Sequence, residues 1–155
     1  MLDKDIIQDK LGNILIGRSV SSISKSGDFL LELNYFGLKN NSYPKLLFIS
    51  LLSDWFIKEL GTWESLNSLF PISTEYLSIP YDPIKSFYLL YITENRSISD
   101  VKFTENTALE INFDNEFTIV MPNVNEHNEY AWLIYGRNLR ISYNADEQYC
   151  YYEED

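Results

Sequence analysis

Apolar and polar positions alternate with period two along much of this chain, the signature of strands that bury one face. Phe29, Leu31, Leu33 and Tyr35 fall on one side of such a stretch. Farther on, Leu109, Ile111 and Phe113 share one side while Glu110 and Asn112 share the other. A Ser-rich, β-branched strand precedes each of these, across a polar turn: Ser26-Gly27-Asp28 in the first case, Glu105-Asn106 in the second. Both arrangements predict β-hairpins. Val20 and Ile23 stand three apart, which breaks strict alternation and predicts a bulge. A third strand is expected over 45–50 and again over 117–121, and a Trp-bearing fourth over 54–58 and 130–135. Asp114-Asn115 reads as the tight turn between the second and third strands of the later set.

The two sets of strands resemble one another. Residues 18–35 align without a gap on 96–113, at an offset of 78, with six identities over the 18 positions. Trp55-Phe56-Ile57 matches Trp132-Leu133-Ile134 at an offset of 77. Two matching segments in the same order indicate an internal duplication, and two copies are too few for a solenoid. The expected fold is therefore mainly β, with α+β as the variant. It consists of two antiparallel β-meander units, about 11–60 and 89–140, related by a pseudo-twofold within one domain spanning 1–155. A short helix is predicted between them over 62–69, with Thr62 as N-cap and Pro71 as the stop. The segment 71–88 reads as a linker, since Pro80 and Pro83 favour extended backbone. Period-two alternation ends after Tyr143, and 144–155 reads as an acidic, tyrosine-rich tail: either a frayed terminus or a strip suited to a basic groove.

Composition adds a core and a charge. Aromatic residues make up 15% of the 155 and hydrophobic residues 45%, which places the chain among folded domains. A single cysteine, Cys150, rules out an intrachain disulfide and fits a reducing compartment. The charged start, Met1 to Asp5, lacks the pattern of a signal peptide, and the most apolar run, 46–52, is too short to span a bilayer as a helix. These features point to the cytoplasm. The net charge of −11 is uneven: residues 1–78 hold 7 basic and 9 acidic groups (−2), and 79–155 hold 5 and 14 (−9). Such a field disfavours nucleic acid and anionic lipid and attracts a basic protein. The same charge also keeps a tyrosine-rich surface soluble.

Candidate chemistry is sparse. His127 is the sole histidine, so neither a His pair nor a Ser-His dyad with a second His in reserve is available. No glycine-rich phosphate loop is present, and no metal or cofactor is expected. Glu126-His127-Asn128-Glu129 reads as a solvated turn or as a carboxylate–imidazole site. Glu32 and Glu110 hold matching positions in the repeat; they read as solvent-facing residues paired with Arg18 or Arg96, or as an acid/base pair brought together by the twofold. Trp55 and Trp132 recur and are assigned to the core, whereas Trp63 has no twin and is a candidate partner anchor.

A small, acidic, β-rich chain without catalytic equipment resembles, in size, charge and lack of chemistry over its whole length, the immunity proteins of bacterial toxin–immunity systems. That resemblance implies a non-enzymatic protein that neutralises a basic toxin, such as a nuclease, by direct binding. The expected contact residues are Trp63, Asp114, Glu116, Glu126, Glu129, Asp146, Glu147, Tyr149, Tyr151, Tyr152, Glu153, Glu154 and Asp155. The competing expectation is a ligand-binding or enzymatic domain with an aromatic pocket between the repeats.

Overall fold

The computed structural model describes residues 3–26, 28–35, 43–53, 55–58, 93–94 and 96–155. Among these residues the elements are one helix, α1 (Lys4–Leu15), and ten strands. The first four are β1 (Arg18–Ser26), β2 (Asp28–Tyr35), β3 (Leu46–Leu51) and β4 (Phe56–Ile57). The remaining six are β5 (Ile98–Thr104), β6 (Ala108–Phe113), β7 (Phe117–Pro122), β8 (Tyr130–Gly136), β9 (Leu139–Asn144) and β10 (Tyr149–Glu154). All pairing is antiparallel, in a six-stranded sheet β1-β2-β3-β8-β9-β10 and a four-stranded sheet β4-β7-β6-β5. The mainly β class holds. The helix proposed over 62–69 and the linker 71–88 lie outside the described residues.

Alternation works as expected inside the hairpins. Leu31, Leu33, Leu109 and Ile111 are buried, and so are Trp55 and Trp132. The bulge expected near Val20 occurs between Val20 and Ser22, and a second one sits between Ile98 and Asp100. Asp114 and Asn115 both adopt positive φ, 50° and 57°, the backbone that a tight β-turn uses and that Asp and Asn tolerate. Gly136 lets β8 lie close to β3, since a Cβ there would stand 2.6 Å from Leu47 Cδ2.

Three expectations about the repeat need correction. First, the units are not self-contained four-strand meanders. β3 pairs with β8, the fourth strand of the later set, and β7 pairs with β4, the fourth strand of the earlier one. Ile49 faces Ile134 in one sheet and Ile119 faces Ile57 in the other. Ile57 and Ile134 stand at the offset of 77 that joins the two Trp segments (134 − 57). The fourth strands are thus exchanged between sheets. Second, the gapless offset of 78 fails at the second strand. Ile23 faces Leu31 and Val101 faces Ile111, so the first strands correspond at 78 (101 − 23) and the second at 80 (111 − 31). A shift of two keeps the same face inward, which is why the pattern concealed it. Third, residues 11–15 are helical and do not belong to a β unit.

The helix α1 is also new. Ile7, Leu11, Ile14 and Leu15 follow a helical spacing and are buried, and the Asp3 side chain caps the first turn through Asp5 N–H. The helix covers the open edge of β5. Gln8 Nε2 donates to Val101 O at 2.7 Å, and Phe103 N–H donates to Gln8 Oε1 at 2.6 Å. One amide side chain thereby occupies a donor and an acceptor on an edge strand. Replacing Gln8 by alanine is expected to cost about 1–3 kcal/mol, because both strand groups then lose their partner. Chemical denaturation checks this, and an unchanged midpoint would mean that water substitutes freely for the amide.

One hydrophobic cluster draws on α1 and both sheets. Phe103 of β5 stands edge-on to Trp132 of β8 at 6.1 Å, and Trp132 stacks on Tyr143 of β9 at 6.1 Å. Ser19 of β1 and Ser97 form an isolated antiparallel bridge, with their hydroxyls 3.0 Å apart, and this joins the two sheets at the start of β1. No helix among the described residues is long and apolar enough to cross a membrane.

Candidate functional site

The stretch expected to be a tail is a strand. Tyr149–Glu154 pairs with β9 along its full length and forms one edge of the six-stranded sheet. Asn144, buried, ends β9 and organises the turn: its Oδ1 accepts from Asp146 N–H at 3.0 Å and Glu147 N–H at 2.9 Å. Neither a frayed terminus nor a loose strip describes 149–154. The alternation within β10 is faint in the sequence because only one of its faces touches the core. Cys150 is buried and Tyr152 partly so, while Tyr149, Tyr151 and Glu153 turn to the outer face.

That outer face is the candidate site. Tyr149 and Tyr151 stand edge to face, 4.9 Å between centroids. Tyr151 hydroxyl donates to Glu147, and this hydrogen bond, with a smaller desolvation effect, pushes the phenol up to about 12. Tyr130 of β8 lies on the same face, with the Arg140 guanidinium 5.5 Å from its ring centroid. Arg140 also approaches Glu153, at 3.9 Å. Farther across the sheet Phe48 stacks on Tyr135, 5.3 Å apart. The face thus presents aromatic rings beside exposed carboxylates, with Tyr151 and Glu153 the most accessible members of β10's outer row. Tyr130 and the Phe48–Tyr135 pair were missed from sequence; their signal was that each alternates with buried neighbours on its own strand.

The other expected contact residues divide. Glu129 joins this end of the sheet: its carboxylate accepts from Asn144 Nδ2 at 2.9 Å, and its carbonyl accepts from Ala145 N–H at 2.8 Å. Asp146 and Glu147 stand in the same turn. Glu126 is exposed in the preceding loop, which Asn125 pins by donating to Leu52 O and Tyr130 O. His127 is likewise exposed, its N–H bound to Asn125 Oδ1, as in a solvated turn. Asp114 and Glu116 belong instead to the four-stranded sheet. Asp114 Oδ1 accepts from Ser97 N–H, and Glu116 pairs with Arg96 at 2.6 Å. Trp63 lies outside the described residues. Tyr152, Glu154 and Asp155 stand at the sheet edge; Tyr152 hydroxyl donates to Glu154 at 2.6 Å, and burial together with that bond raises its pKa.

Glu32 and Glu110 each have a partner of their own. They occupy different sheets, and both are half-buried rather than largely exposed. Glu32 accepts from Ser21 hydroxyl at 2.8 Å, and Glu110 pairs with Lys58 at 2.9 Å. Neither takes the expected arginine: Arg18 binds backbone carbonyls, and Arg96 binds Glu116. Burial pushes the Cys150 thiol up to about 12, which keeps it protonated and a poor nucleophile at neutral pH. Among the described residues, no three His, Cys, Asp or Glu side chains gather as a metal site. No family model, curated protein or solved structure matches this chain.

Proposed function

We propose that this chain is a non-catalytic binding protein of the cytoplasm that neutralises a basic protein partner, a bacterial toxin of the class that includes nucleases, by covering it with the outer face of β8–β10. The observation that carries this reading is the row Tyr149–Tyr151 with Tyr130 beside it, rimmed by Glu147 and Glu153. Tyrosines supply rigid contact area with a polar tip, and interfaces are enriched in them. The carboxylates complement a basic surface, in a half of the chain that carries −9 of the −11. The filled space between the sheets, where Phe103, Trp132 and Tyr143 touch one another, favours this over a ligand pocket at the same place.

The common pairing plan of the two strand sets, with bulges at Ser21 and Ser99 and contact between Ser19 and Ser97, supports reading them as copies related by a pseudo-twofold. The proposed contact face is built on β8 of the later copy and on β9 and β10, which follow it.

Binding kinetics against salt test the proposal, with a basic partner recovered from the native cell. Removing residues beyond Asn144 is unsuitable, because it would strip an edge strand from the sheet. Glu147→Gln with Glu153→Gln is expected to slow association several-fold at low salt and to have little effect at high salt. Tyr151→Ala is expected to speed dissociation roughly 30-fold, as for a central aromatic anchor worth about 2 kcal/mol. A partner whose association ignores salt, or recovery of no basic protein, overturns it.

A further inference from the structure

Two sheet edges carry a contact from elsewhere among the described residues. β5 is capped by Gln8 of α1, and β1 is bridged to Ser97 at its start. Among the described residues no strand pairs with the far side of β10. Its backbone orientation can be read from one hydrogen bond. Asp155 N–H donates to Asn138 O at 3.1 Å, and the register continues inward as Glu153↔Arg140 and Tyr151↔Ser142. Antiparallel ladders alternate, so the odd-numbered residues aim their N–H and C=O at β9. Cys150, Tyr152 and Glu154 therefore aim theirs outward. Cys150 is buried, which leaves the groups of Tyr152 and Glu154 as the accessible part of the edge.

The chemistry along this edge has a direction. Rings come first, from Tyr149 to Tyr152, and carboxylates come after them, from Glu153 to Asp155. The Tyr152 ring already seats a cation, the Lys10 ammonium, 4.2 Å from its centroid. We propose that the β10 edge accepts an extended basic segment of the partner as a seventh, antiparallel strand of the large sheet. The unpaired backbone supplies the hydrogen bonds of such strand addition, and side chains on alternate faces supply selectivity. Antiparallel pairing sets the N-terminal end of the added strand opposite Glu153–Asp155. Basic residues therefore lead in the ligand, and apolar or β-branched residues come next, opposite the tyrosines. The inference rests on the proposed function, since it takes the same partner chemistry and extends the contact from the outer face around the edge.

Amide hydrogen exchange by NMR on the intact chain tests it, with a short synthetic peptide of lysines followed by alternating valine and threonine. The expected result is at least about tenfold slower exchange at Tyr152 and Glu154 N–H once peptide is bound, with little change at Tyr151 and Glu153, whose N–H groups already pair with β9. A peptide with the order reversed is expected to bind several-fold more weakly. Shifts at the Tyr130, Tyr149 and Tyr151 rings without slower exchange at the two edge amides would overturn strand addition and leave the acidic tyrosine face standing. No binding of either peptide in low salt would overturn both.

Discussion

Replacing Trp132 by alanine is expected to remove about 3–5 kcal/mol of stability, a large share of the roughly 5–15 kcal/mol that holds an ordinary domain folded. The side chain is wholly buried and lies where the two sheets meet. Its ring stacks on Tyr143 at an interplanar angle of 28° and meets Phe103 at 82°, so truncation empties a space bounded by aromatic groups that cannot readily collapse into it. A polar consequence is added. The indole N–H donates to Asn123 Oδ1 at 2.8 Å, while Asn123 Nδ2 donates to the carbonyls of Thr104 and Glu105. Asn123 thus ties the β5–β6 turn to β8, and losing the indole leaves its buried oxygen without that donor. Trp132→Phe separates the contributions: most of the volume stays, the N–H goes, and an intermediate loss of about 1–3 kcal/mol is expected. Urea denaturation followed by far-ultraviolet circular dichroism gives both numbers. A loss below about 1 kcal/mol in the alanine variant would refute this account of the core.

Arg18→Ala is the second large effect, expected at about 3–5 kcal/mol. Arg18 is fully buried, and its partners are backbone carbonyls. Nε donates to Ile14 O at 2.6 Å, Nη1 to Lys45 O at 3.0 Å and Nη2 to Pro44 O at 2.6 Å. The guanidinium carbon also stands 4.0 Å from the Tyr35 ring centroid. One side chain therefore joins the C-terminal turn of α1, where the helix dipole favours a cation, to the segment entering β3 and to β2. Its removal takes a donor from three carbonyls; those of Pro44 and Lys45 are part-buried, and Ile14 O keeps the Tyr35 hydroxyl at 3.0 Å. Arg18→Lys is expected to recover only part of the loss, since an ammonium cannot present the planar fork. Arg96 is the internal control. It matches Arg18 in the sequence repeat but is partly exposed, paired with the exposed Glu116, and its guanidinium stands 5.4 Å from the Phe117 ring centroid. Arg96→Ala is expected to cost no more than about 1 kcal/mol. Equal losses at the two arginines, measured by the same denaturation, would show that the buried network contributes nothing beyond an ordinary surface pair.

The two arginines also mark the boundary between what sequence determined and what the tertiary structure decided. Alternation determined the β class, the inward faces of β2 and β6 and the bulge after Val20, residue type determined the Asp114-Asn115 turn, and recurrence pointed to the burial of Trp55 and Trp132. Each of these is local: side chains in a strand point to opposite faces, and one face must leave water. Strand partnership is not local. Matching Trp-x-Ile segments, 55–57 and 132–134, lead into β4 and lie in β8, and nothing in either says which sheet it completes, so the exchange between sheets emerged only in three dimensions. The helix α1 is legible in the spacing of Ile7, Leu11, Ile14 and Leu15, but the charged residues interleaved with them mask the period. The edge strand β10 has a weak pattern because a strand with one neighbour and one wet face needs few apolar residues. The site itself combines both kinds of information. The acidic, tyrosine-rich composition of 144–155 is plain in the sequence, but the rings form an ordered row only because Asn144 turns the chain back and β9 pairs with the segment beyond that turn. Charge and aromatic content are properties of the chain, whereas a binding face requires side chains from separate strands at fixed spacing, which hydrogen-bonded pairing alone supplies.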